Sequence, residues 1–385
     1  MKRVVVFFPS WRYFGHFALP LFARLTDRFE IVFLHTERAI YGWDDCPDLS
    51  DQGIETVDLS SLKTASFVKA LRMLNPDAVV VFDKGWMQDR ALLHAAQFFG
   101  IRSFHIQHGI IAPLSKVKTQ NSLRRGALEF VKVFRTFWLY NRTLQDIGGA
   151  AWRKSLRYQG TLLRNPNDYY YNDRDEVQAD LVGIIGERDR TFFVEREGYT
   201  VEQLIPFGAL QFEAAYRLSP REPQDQLLLI TQPLFEDHVL TGGMSAKEQH
   251  LREMINSSPL PVAIKPHPRE DRNWYEERFS AEELRLYPAV QDINEAILDS
   301  SHVVGYFSTA LINALILKRP VGIIRWVDDG AYVLNLDVAG DAVPLHSVIE
   351  ISDFITKDSA YNIDVDPYCY DVNPIDTIKK ILEHF

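Results

Sequence analysis

The sequence predicts an α/β protein built from two doubly wound domains. Its 385 residues are many for a single hydrophobic core. Short runs rich in valine, isoleucine and phenylalanine alternate with amphipathic stretches of helical period, which is the pattern of a parallel sheet covered by helices on both faces. The alternation begins again in the second half of the chain, although the sequence itself does not repeat. Together these observations favour two similar architectures in one chain.

The first half opens with the apolar run RVVVFF at residues 3–8, which predicts a buried strand. Gly100 is typical of the residue that ends a helix. The complete set predicted for this half comprises strands at 3–8, 30–36, 55–60, 78–83 and 102–108 and helices at 18–29, 65–75 and 89–100.

The second half follows the same rule, with Ser245 as the expected N-cap of one helix and Asn373 before Pro374 as the start of the last. We expect strands at 181–186, 203–208, 225–233, 261–266, 302–307 and 320–326 and helices at 190–198, 245–257, 293–300, 309–318 and 373–385. The predicted domains are residues 1–175 and 176–372, with the helix at 373–385 packing back toward the N-terminal domain.

The composition excludes several classes of protein. A net charge of −10 and a pI of about 5.6 argue against a general nucleic-acid binder, whose domain is usually basic. Cys46 and Cys369 have neither disulfide-framework nor metal-ligand spacing, so we expect a reducing, cytoplasmic location. The first apolar run stops at Pro9 without a cleavage site, so we interpret it as a strand and not a signal peptide. No stretch approaches the roughly 20 apolar residues that span a bilayer.

The segment VAIKPHPRED at 262–271 places Lys265, His267 and Arg269 on a turn stiffened by Pro266 and Pro268. The simple alternative is a basic surface turn. A preorganised imidazole with two cations is also suited to bind a phosphate. Ligands of open α/β sheets bind beyond the carboxyl ends of the strands, and this turn follows such a strand.

Ser308 and Thr309 come after another predicted strand and directly before a helix. Their hydroxyls could simply cap the helix, or they could form an anion site with its free N–H groups. They follow the next core strand after the turn at 265–269, so we expect both to line one edge. No glycine-rich phosphate loop of either standard spacing is present, which excludes a P-loop kinase and a dinucleotide oxidoreductase.

Polar or small residues also follow other predicted strands, where ligands would bind. They are Gly15 and His16 after the first strand, Asp83 after the fourth, His108 and Gly109 after the fifth, and Gln232, Glu236 and Asp237 after the strand at 225–233.

Three segments carry a resemblance to a family. KPHP at 265–268 resembles the His-Pro motif of bacterial sialyltransferases and of the teichoic-acid polymerases that use CDP-polyols, and 305–321 resembles their Ser-Ser/Thr motif with its helix. QPLFED at 232–237 is similar to a segment of lipooligosaccharide sialyltransferases. These transferases have the GT-B fold. The resemblance, which covers about residues 180–325, implies two doubly wound Rossmann-like domains facing an interdomain cleft, the first binding the acceptor and the second the nucleotide sugar.

The resemblance also implies roles. His267, Ser308 and Thr309 would hold the phosphate of the donor, with Lys265, Pro268, Arg269 and Gln232 around it. Bacterial sialyltransferases carry an acidic motif in the first domain, but the one Asp-Asp-Gly triplet here lies at 328–330.

The histidine-glycine pair at 108–109 is similar to that of the teichoic-acid polymerases, which would make His108 the general base. It could equally be a structural histidine before Gly109, and Asp83 is a rival base. A histidine near pKa 6.5 suits proton abstraction from a hydroxyl. The phosphate site supplies positive charge, and no Asp-x-Asp motif follows a strand, so no cofactor and no metal are expected. His16, Gly15, Gly109, Glu236 and Asp237 would lie near the acceptor or in the cleft.

Residues 116–142 contain seven lysines and arginines and one acid, Glu129. Such a helix is usually a solvated face over a core. Alternatively, its cations could face anionic headgroups at the inner face of the cytoplasmic membrane while Phe134, Phe137 and Trp138 enter the interface.

Five functions remain open from the sequence. The first is an inverting, metal-independent glycosyltransferase that moves a CMP-linked nonulosonic acid or Kdo to a bacterial surface glycan in capsule or lipopolysaccharide. The second is transfer of polyol phosphate from a CDP-polyol, although Phe307 stands where those enzymes often carry an acid. The others are a UDP-sugar transferase or sugar-nucleotide epimerase of the same fold, the latter relying on Glu236 and Asp237, and a non-catalytic partner subunit.

Overall fold

The computed structural model describes the chain except residues 84–85, 110–122, 149–176, 238–239, 289–290, 307, 327–335, 337–339 and 358–363 and the side chains of 13 and 123–130. The described residues divide into two compact units. The first comprises Met1–Gly109, the described residues between 123 and 210, and Val372–Phe385. The second comprises the described residues of Gln211–Asp371.

The first unit contains a seven-stranded sheet in which every pairing is parallel, in the order β3-β2-β1-β4-β5-β6-β7. Its strands are β1 (Lys2–Phe8), β2 (Phe29–His35), β3 (Ile54–Asp58), β4 (Ala78–Val81), β5 (Arg102–Ile106), β6 (Leu181–Ile184) and β7 (Leu204–Pro206). Its helices are α1 (His16–Phe22), α2 (Phe67–Leu74), α3 (Met87–Phe99) and α4 (Leu123–Ile147).

The second unit contains a six-stranded parallel sheet in the order β10-β9-β8-β11-β12-β13. Its strands are β8 (Gln224–Ile230), β9 (Val262–Lys265), β10 (Arg285–Leu286), β11 (Ser300–Gly305), β12 (Val321–Ile324) and β13 (Val343–Leu345). Helices α5 (Leu210–Arg217), α6 (Gly243–Ser257), α7 (Arg272–Glu276), α8 (Ile293–Leu298), α9 (Ala310–Ile316) and α10 (Glu350–Thr356) connect them, and α11 (Pro374–His384) returns to the first unit.

The central strands are buried on both faces, which explains their unbroken apolar sequences. Side chains of β1 contribute alternately to two hydrophobic clusters, with Val5 and Phe7 on one face and Val4, Val6 and Phe8 on the other. The alternation follows from the two-residue period of a strand. Apolar positions that look continuous in the sequence therefore serve two helix layers.

The structure corrects the predicted boundary at 175/176. Strands β6 and β7 pair with β5 and with each other, so they extend the first sheet. Gln107 and Phe207 continue this pairing through main-chain bonds to Gly183 and Ile184. The second unit begins near Gln211. The sequence of a short apolar strand does not indicate which sheet the strand joins, because strand pairing is non-local.

Two smaller differences concern helices. Residues 190–198 form only a short helical turn, Phe192–Arg196. Helix α6 begins at Gly243 with Gly242 as N-cap, and not at Ser245, because Gly242 adopts a positive φ of 93°. Asn373 caps α11 as predicted, accepting hydrogen bonds from the N–H groups of Ile375 and Asp376.

Candidate functional site

The turn after β9 is the most strongly organised feature at the carboxyl edge of the second sheet. Strand β9 ends at Lys265, and the N–H of Glu270 donates to the carbonyl oxygen of His267 at 2.9 Å. Pro266 and Pro268 restrict the backbone between these points. The turn thus holds the predicted phosphate ligands in a closed loop at the end of a buried strand.

His267 presents a defined ring atom. Its Nδ1 accepts a hydrogen bond from the N–H of Arg269 at 3.2 Å. Desolvation, followed by the nearby charge of Arg269, lowers the pKa of His267 below its ordinary value. A neutral imidazole whose Nδ1 accepts must carry its proton on Nε2. The half-buried ring therefore offers an Nε2–H donor at neutral pH.

The two cations of the turn have protein partners. The ammonium of Lys265 donates to the carbonyl oxygen of Pro288 at 2.6 Å, and desolvation is the main cause that lowers its pKa. The guanidinium of Arg269 forms an exposed ion pair with Asp237 at 2.9 Å. Two predicted site residues, Arg269 and Asp237, are thus brought together, and Asp237 offsets part of the charge of the turn.

The sequence reasoning missed Glu270, which closes this turn. The fully buried Glu270 carboxylate accepts hydrogen bonds from the main-chain N–H of His267 (2.7 Å), the ammonium of Lys247 (2.7 Å), the hydroxyl of Tyr275 (2.9 Å) and the hydroxyl of Thr231. These donors come from four separate segments, so one side chain ties the turn to the rest of the edge.

Lys247 compensates this buried charge. It is 3% exposed and also pairs with Glu236. Its ammonium lies 4.9 and 4.6 Å from the ring centroids of Trp274 and Tyr275. A sequence signal existed, because Lys247 occupies the apolar face of α6 that also carries Leu251 and Met254. A lysine on such a face needs a buried anionic partner.

Ser308 and Thr309 lie between β11 and α9. The Ser308 hydroxyl oxygen accepts from the N–H of Ala310 at 3.2 Å, and the Thr309 side chain is exposed and makes no capping bond. These residues and the His267 turn follow β11 and β9, which belong to one parallel sheet as expected, but β8 lies between the two strands. The strand ends are two inter-strand spacings apart, about 10 Å. Half-buried Gln232 follows β8, between them in the strand order.

At the carboxyl edge of the first sheet, the helical turn Trp11–Gly15 follows β1 and leads into α1 at His16. A Cβ on Gly15 would lie 2.2 Å from the indole of Trp11, so the position admits only glycine without a shift. The exposed His16 ring lies 5.5 Å from that of Trp11. Gly15 therefore serves close packing, and His16 remains available at the edge.

His108 follows β5 and packs against aromatic rings of the β1–α1 segment. Its ring centroid lies 4.6 Å from that of Phe14 and 5.1 Å from that of Phe17. Desolvation by these neighbours lowers the pKa of His108, although the residue as a whole is solvent-exposed. The imidazole is consequently neutral at pH 7, the state that a general base requires.

Gln107 fixes the turn that carries His108. Its side-chain oxygen accepts from the N–H of Ile185 at 2.8 Å, and its side-chain nitrogen donates to the carbonyl oxygen of Gly109 at 2.9 Å and to the Asp189 carboxylate. Gly109 has a φ of 70°, which favours glycine. Burial is the main cause that raises the pKa of Asp189 to about 6.

Asp83 follows β4 and is half-buried. Its N–H donates to the carboxylate of Asp89 at 3.4 Å. Asp89 is 1% exposed, and burial, followed by the charge of Asp83, raises its pKa well above the ordinary value. Strands β1, β4 and β5 are neighbours, so His16, Asp83 and His108 share one edge of the first sheet.

Several predicted features fall on residues that the structure does not describe. The triplet at 328–330, residues 116–122 and the side chains of 123–130 lie outside the described residues. In the part of the chain that the structure describes, no group of three His, Cys, Asp or Glu side chains could hold a metal ion. Within the same ranges, no helix combines the length and apolar character needed to cross a bilayer.

No protein-family model and no curated protein matches the chain. Solved structures do resemble it. The calicheamicin glycosyltransferase CalG4 aligns with 12% identity and a TM-score of 0.57, covering 100% of this chain and 98% of its own. The UDP-GlcNAc 2-epimerase from Methanocaldococcus jannaschii aligns with 12% identity and a TM-score of 0.54, covering 100% of both chains.

The chain has the GT-B fold. A variant of the wall teichoic acid polymerase TagF also resembles it, with 12% identity, a TM-score of 0.50 and coverage of 100% of this chain and 90% of that one. At these identities the likeness concerns the fold, so the chemistry must be argued from the side chains at the two sheet edges.

Proposed function

We propose that this GT-B chain is an inverting, metal-independent glycosyltransferase. It transfers a sugar from a nucleotide-activated donor to a bacterial surface glycan of capsule or lipopolysaccharide. The donor is CMP-linked and carries sialic acid, another nonulosonic acid or Kdo. The observation that carries the proposal is the turn after β9, where His267 offers an Nε2–H donor from a rigid loop at a sheet edge. Open α/β sheets bind nucleotides at such edges.

In this proposal the second unit binds the donor. Nε2 of His267 donates to a phosphate oxygen. The Ser308 oxygen accepts from Ala310, so its own hydrogen can be given to the ligand, as can that of the exposed Thr309. Lys265 and Arg269 add positive charge near the leaving phosphate. Preorganised donors of this kind stabilise the charge that develops as the glycosidic bond to phosphate breaks.

The first unit then supplies the base. Neutral His108 takes the proton of the acceptor hydroxyl while that oxygen attacks the anomeric carbon, and the bond to the phosphate oxygen breaks with inversion. The proton ends on the imidazole and the negative charge on the released nucleotide. Asp83 is the alternative base at the same edge. His16, with Gly15 and Gly109 shaping the main chain, is proposed to meet the acceptor.

Polyol-phosphate transfer from a CDP-polyol is the second candidate, supported by the histidine-glycine turn at 108–109 and by the fold shared with TagF. Shared fold with a UDP-GlcNAc 2-epimerase keeps UDP-linked donors as a further alternative. Epimerisation itself has less support, because its candidate acids, Glu236 and Asp237, are engaged in ion pairs with Lys247 and Arg269.

Nucleotide binding tests the donor site. We expect CMP at about 100 times its Kd to stabilise the protein by roughly 2.7 kcal/mol in a thermal-shift assay, with or without EDTA. Since a glutamine side-chain nitrogen can replace Nε2 whereas that of asparagine replaces Nδ1, His267→Gln should retain much of the shift. His267→Asn and His267→Ala should weaken binding by about 10–100-fold, the value of a hydrogen bond to a charged group.

The panel of CMP, CDP, UMP, UDP, GDP and ADP separates the alternatives. A preference for CDP would favour polyol-phosphate transfer, and a preference for UDP would indicate a uridine-linked donor instead of a cytidine-linked one. Equal shifts in wild type, His267→Gln and His267→Asn would remove His267 from the site. Absence of any nucleotide effect would contradict the proposed function.

We also propose peripheral contact with the inner face of the cytoplasmic membrane through α4, where a lipid-linked acceptor would lie. Val131, Phe134 and Trp138 are 43%, 60% and 56% exposed and share one helix face by their spacing. The described part of α4 has three cations, Lys132, Arg135 and Arg142, and one acid, Asp146. Lys132 lies over the rings of Tyr41 and Trp43, Arg135 donates to the carbonyl oxygen of Ile40, and Phe137, which was expected at the interface, packs against the core. The exposed apolar side chains therefore carry this proposal, and the excess of cations in the helix is complementary to anionic lipids.

We expect the protein to bind phosphatidylglycerol-containing vesicles more strongly than phosphatidylcholine vesicles. Replacing Phe134 and Trp138 together by serine should lower partition to anionic vesicles by about tenfold or more, because the two aromatic side chains that would enter the lipid interface are lost. Ile349→Ser, which changes an exposed apolar residue of the second unit, is the matched control. Unchanged sedimentation of the double variant with vesicles would refute this contact.

A further inference from the structure

Glu270 is a buried charged group that neither the resemblance nor the proposed reaction uses. Its side chain is fully buried, whereas the neighbouring Arg269 is largely exposed. A carboxylate in such a place is costly unless it is paired and hydrogen-bonded. The ion pair with Lys247 and its other hydrogen bonds meet this requirement.

The two carboxylate oxygens serve different parts of the molecule. Oε2 accepts from the main-chain N–H of His267, at 2.7 Å, and from the hydroxyl of Thr231. Oε1 accepts from Lys247 and Tyr275, which belong to helices α6 and α7. Oε2 thus joins the residue after β8 to the turn after β9, while Oε1 anchors the carboxylate to the helix layer.

Two hydrogen bonds, one of them to Oε2, limit which atom of His267 can meet a ligand. The main-chain N–H of His267 is occupied by Glu270, and Nδ1 is occupied by the N–H of Arg269. Both bonds lie within residues 267–270 of the turn. The Nε2–H group is the remaining donor of the residue. Its direction therefore depends on the placement of the main chain by Oε2.

We propose that Glu270 is a positioning residue of the donor site, which holds His267 through Oε2 so that Nε2–H points to the phosphate of the nucleotide. The inference rests on the proposed function for its ligand. Lys247, which Glu270 shares with Glu236, offsets part of the negative charge of Glu270 beside the proposed anion site. Thr231 is the partner that fixes Oε2 relative to β8.

The test compares two substitutions, each of which removes one hydroxyl donor to the Glu270 carboxylate. Thr231→Val removes a donor to Oε2, and Tyr275→Phe removes a donor to Oε1. We expect Thr231→Val to raise the Kd for CMP by about fivefold to tenfold, less than the loss of a direct hydrogen bond to the phosphate, because Thr231 acts through Glu270. Tyr275→Phe should leave the Kd for CMP within about twofold of wild type, even if its melting temperature falls as much as that of Thr231→Val. Thr231→Ser, which keeps the hydroxyl, should restore wild-type affinity.

A ligand-free measurement separates this inference from the donor assignment. Long-range ¹H–¹⁵N NMR of ¹⁵N-histidine-labelled protein reports which ring nitrogen carries the proton. We expect the Nε2–H tautomer of His267 in wild type, Tyr275→Phe and Thr231→Ser, and a mixture of tautomers in Thr231→Val. If CMP does not bind the wild type, the proposed function fails, whereas this tautomer comparison still tests the positioning role. Equal changes in both deletions, or a change in neither, would overturn it.

Discussion

Replacing His108 by alanine is expected to lower kcat for sugar transfer by about 10²–10⁴-fold, the usual contribution of a general base. The Kd for CMP should stay within about twofold, because the proposed phosphate ligands belong to the second unit. Initial rates with CMP-sialic acid or CMP-Kdo and an oligosaccharide acceptor measure the change. Asp83→Asn is the matched comparison, since Asp83 is the rival base at the same edge.

The pH profile gives a second readout for His108. Desolvation by Phe14 and Phe17 lowers the pKa of His108, so the basic form persists below pH 6.5. Activity should therefore fall only when the pH drops through this lowered pKa. If His108→Ala keeps wild-type kcat while Asp83→Asn loses it, the roles must be exchanged.

Replacing Lys247 by methionine is expected to destabilise the second unit by about 3–5 kcal/mol, the usual effect of breaking a buried ion pair. The change removes the cation shared by Glu270 and Glu236 and leaves a buried carboxylate uncompensated. Hydrogen exchange of the main chain around 262–275 measures this unit separately.

Two controls define the cause of this effect. Lys69→Met, at the more exposed Lys69–Asp146 pair of 3.9 Å, should change stability by less than about 1 kcal/mol. Adding Glu270→Gln to Lys247→Met should recover part of the loss, because it removes the orphaned charge. A loss below about 1 kcal/mol for Lys247→Met alone would indicate that water reaches Glu270 and compensates it.

The order of strands and helices was largely predictable because burial on both faces leaves unbroken apolar runs, as in β1 and β4. The same physics directed attention to the strand ends, including His267. The sheet to which β6 and β7 belong was not predictable, since their few apolar residues fit either core and pairing with β5 is non-local. An alternation rule identifies a strand but not its neighbour.

The hydrogen-bond network around His267 could not be predicted from the sequence either. Motif spacing selected the histidine but not Glu270, because a glutamate after a basic turn usually suggests a solvated surface. Lys247 was the available signal, as a lysine on the apolar face of α6. Its partner comes 23 residues later in the chain, so only the folded structure joins the two.

Helix α11 has a consequence for the order in which the chain folds during synthesis. Ile375, Ile378, Ile381 and Leu382 complete a hydrophobic cluster of the first unit, and the ammonium of Lys2 donates to the carbonyl oxygens of Leu382 and Glu383. The second unit interrupts the first along the chain. The part of the first unit's core that α11 supplies is therefore synthesised only after the second unit. Until then, the apolar surface that α11 covers is exposed to solvent and therefore prone to aggregation.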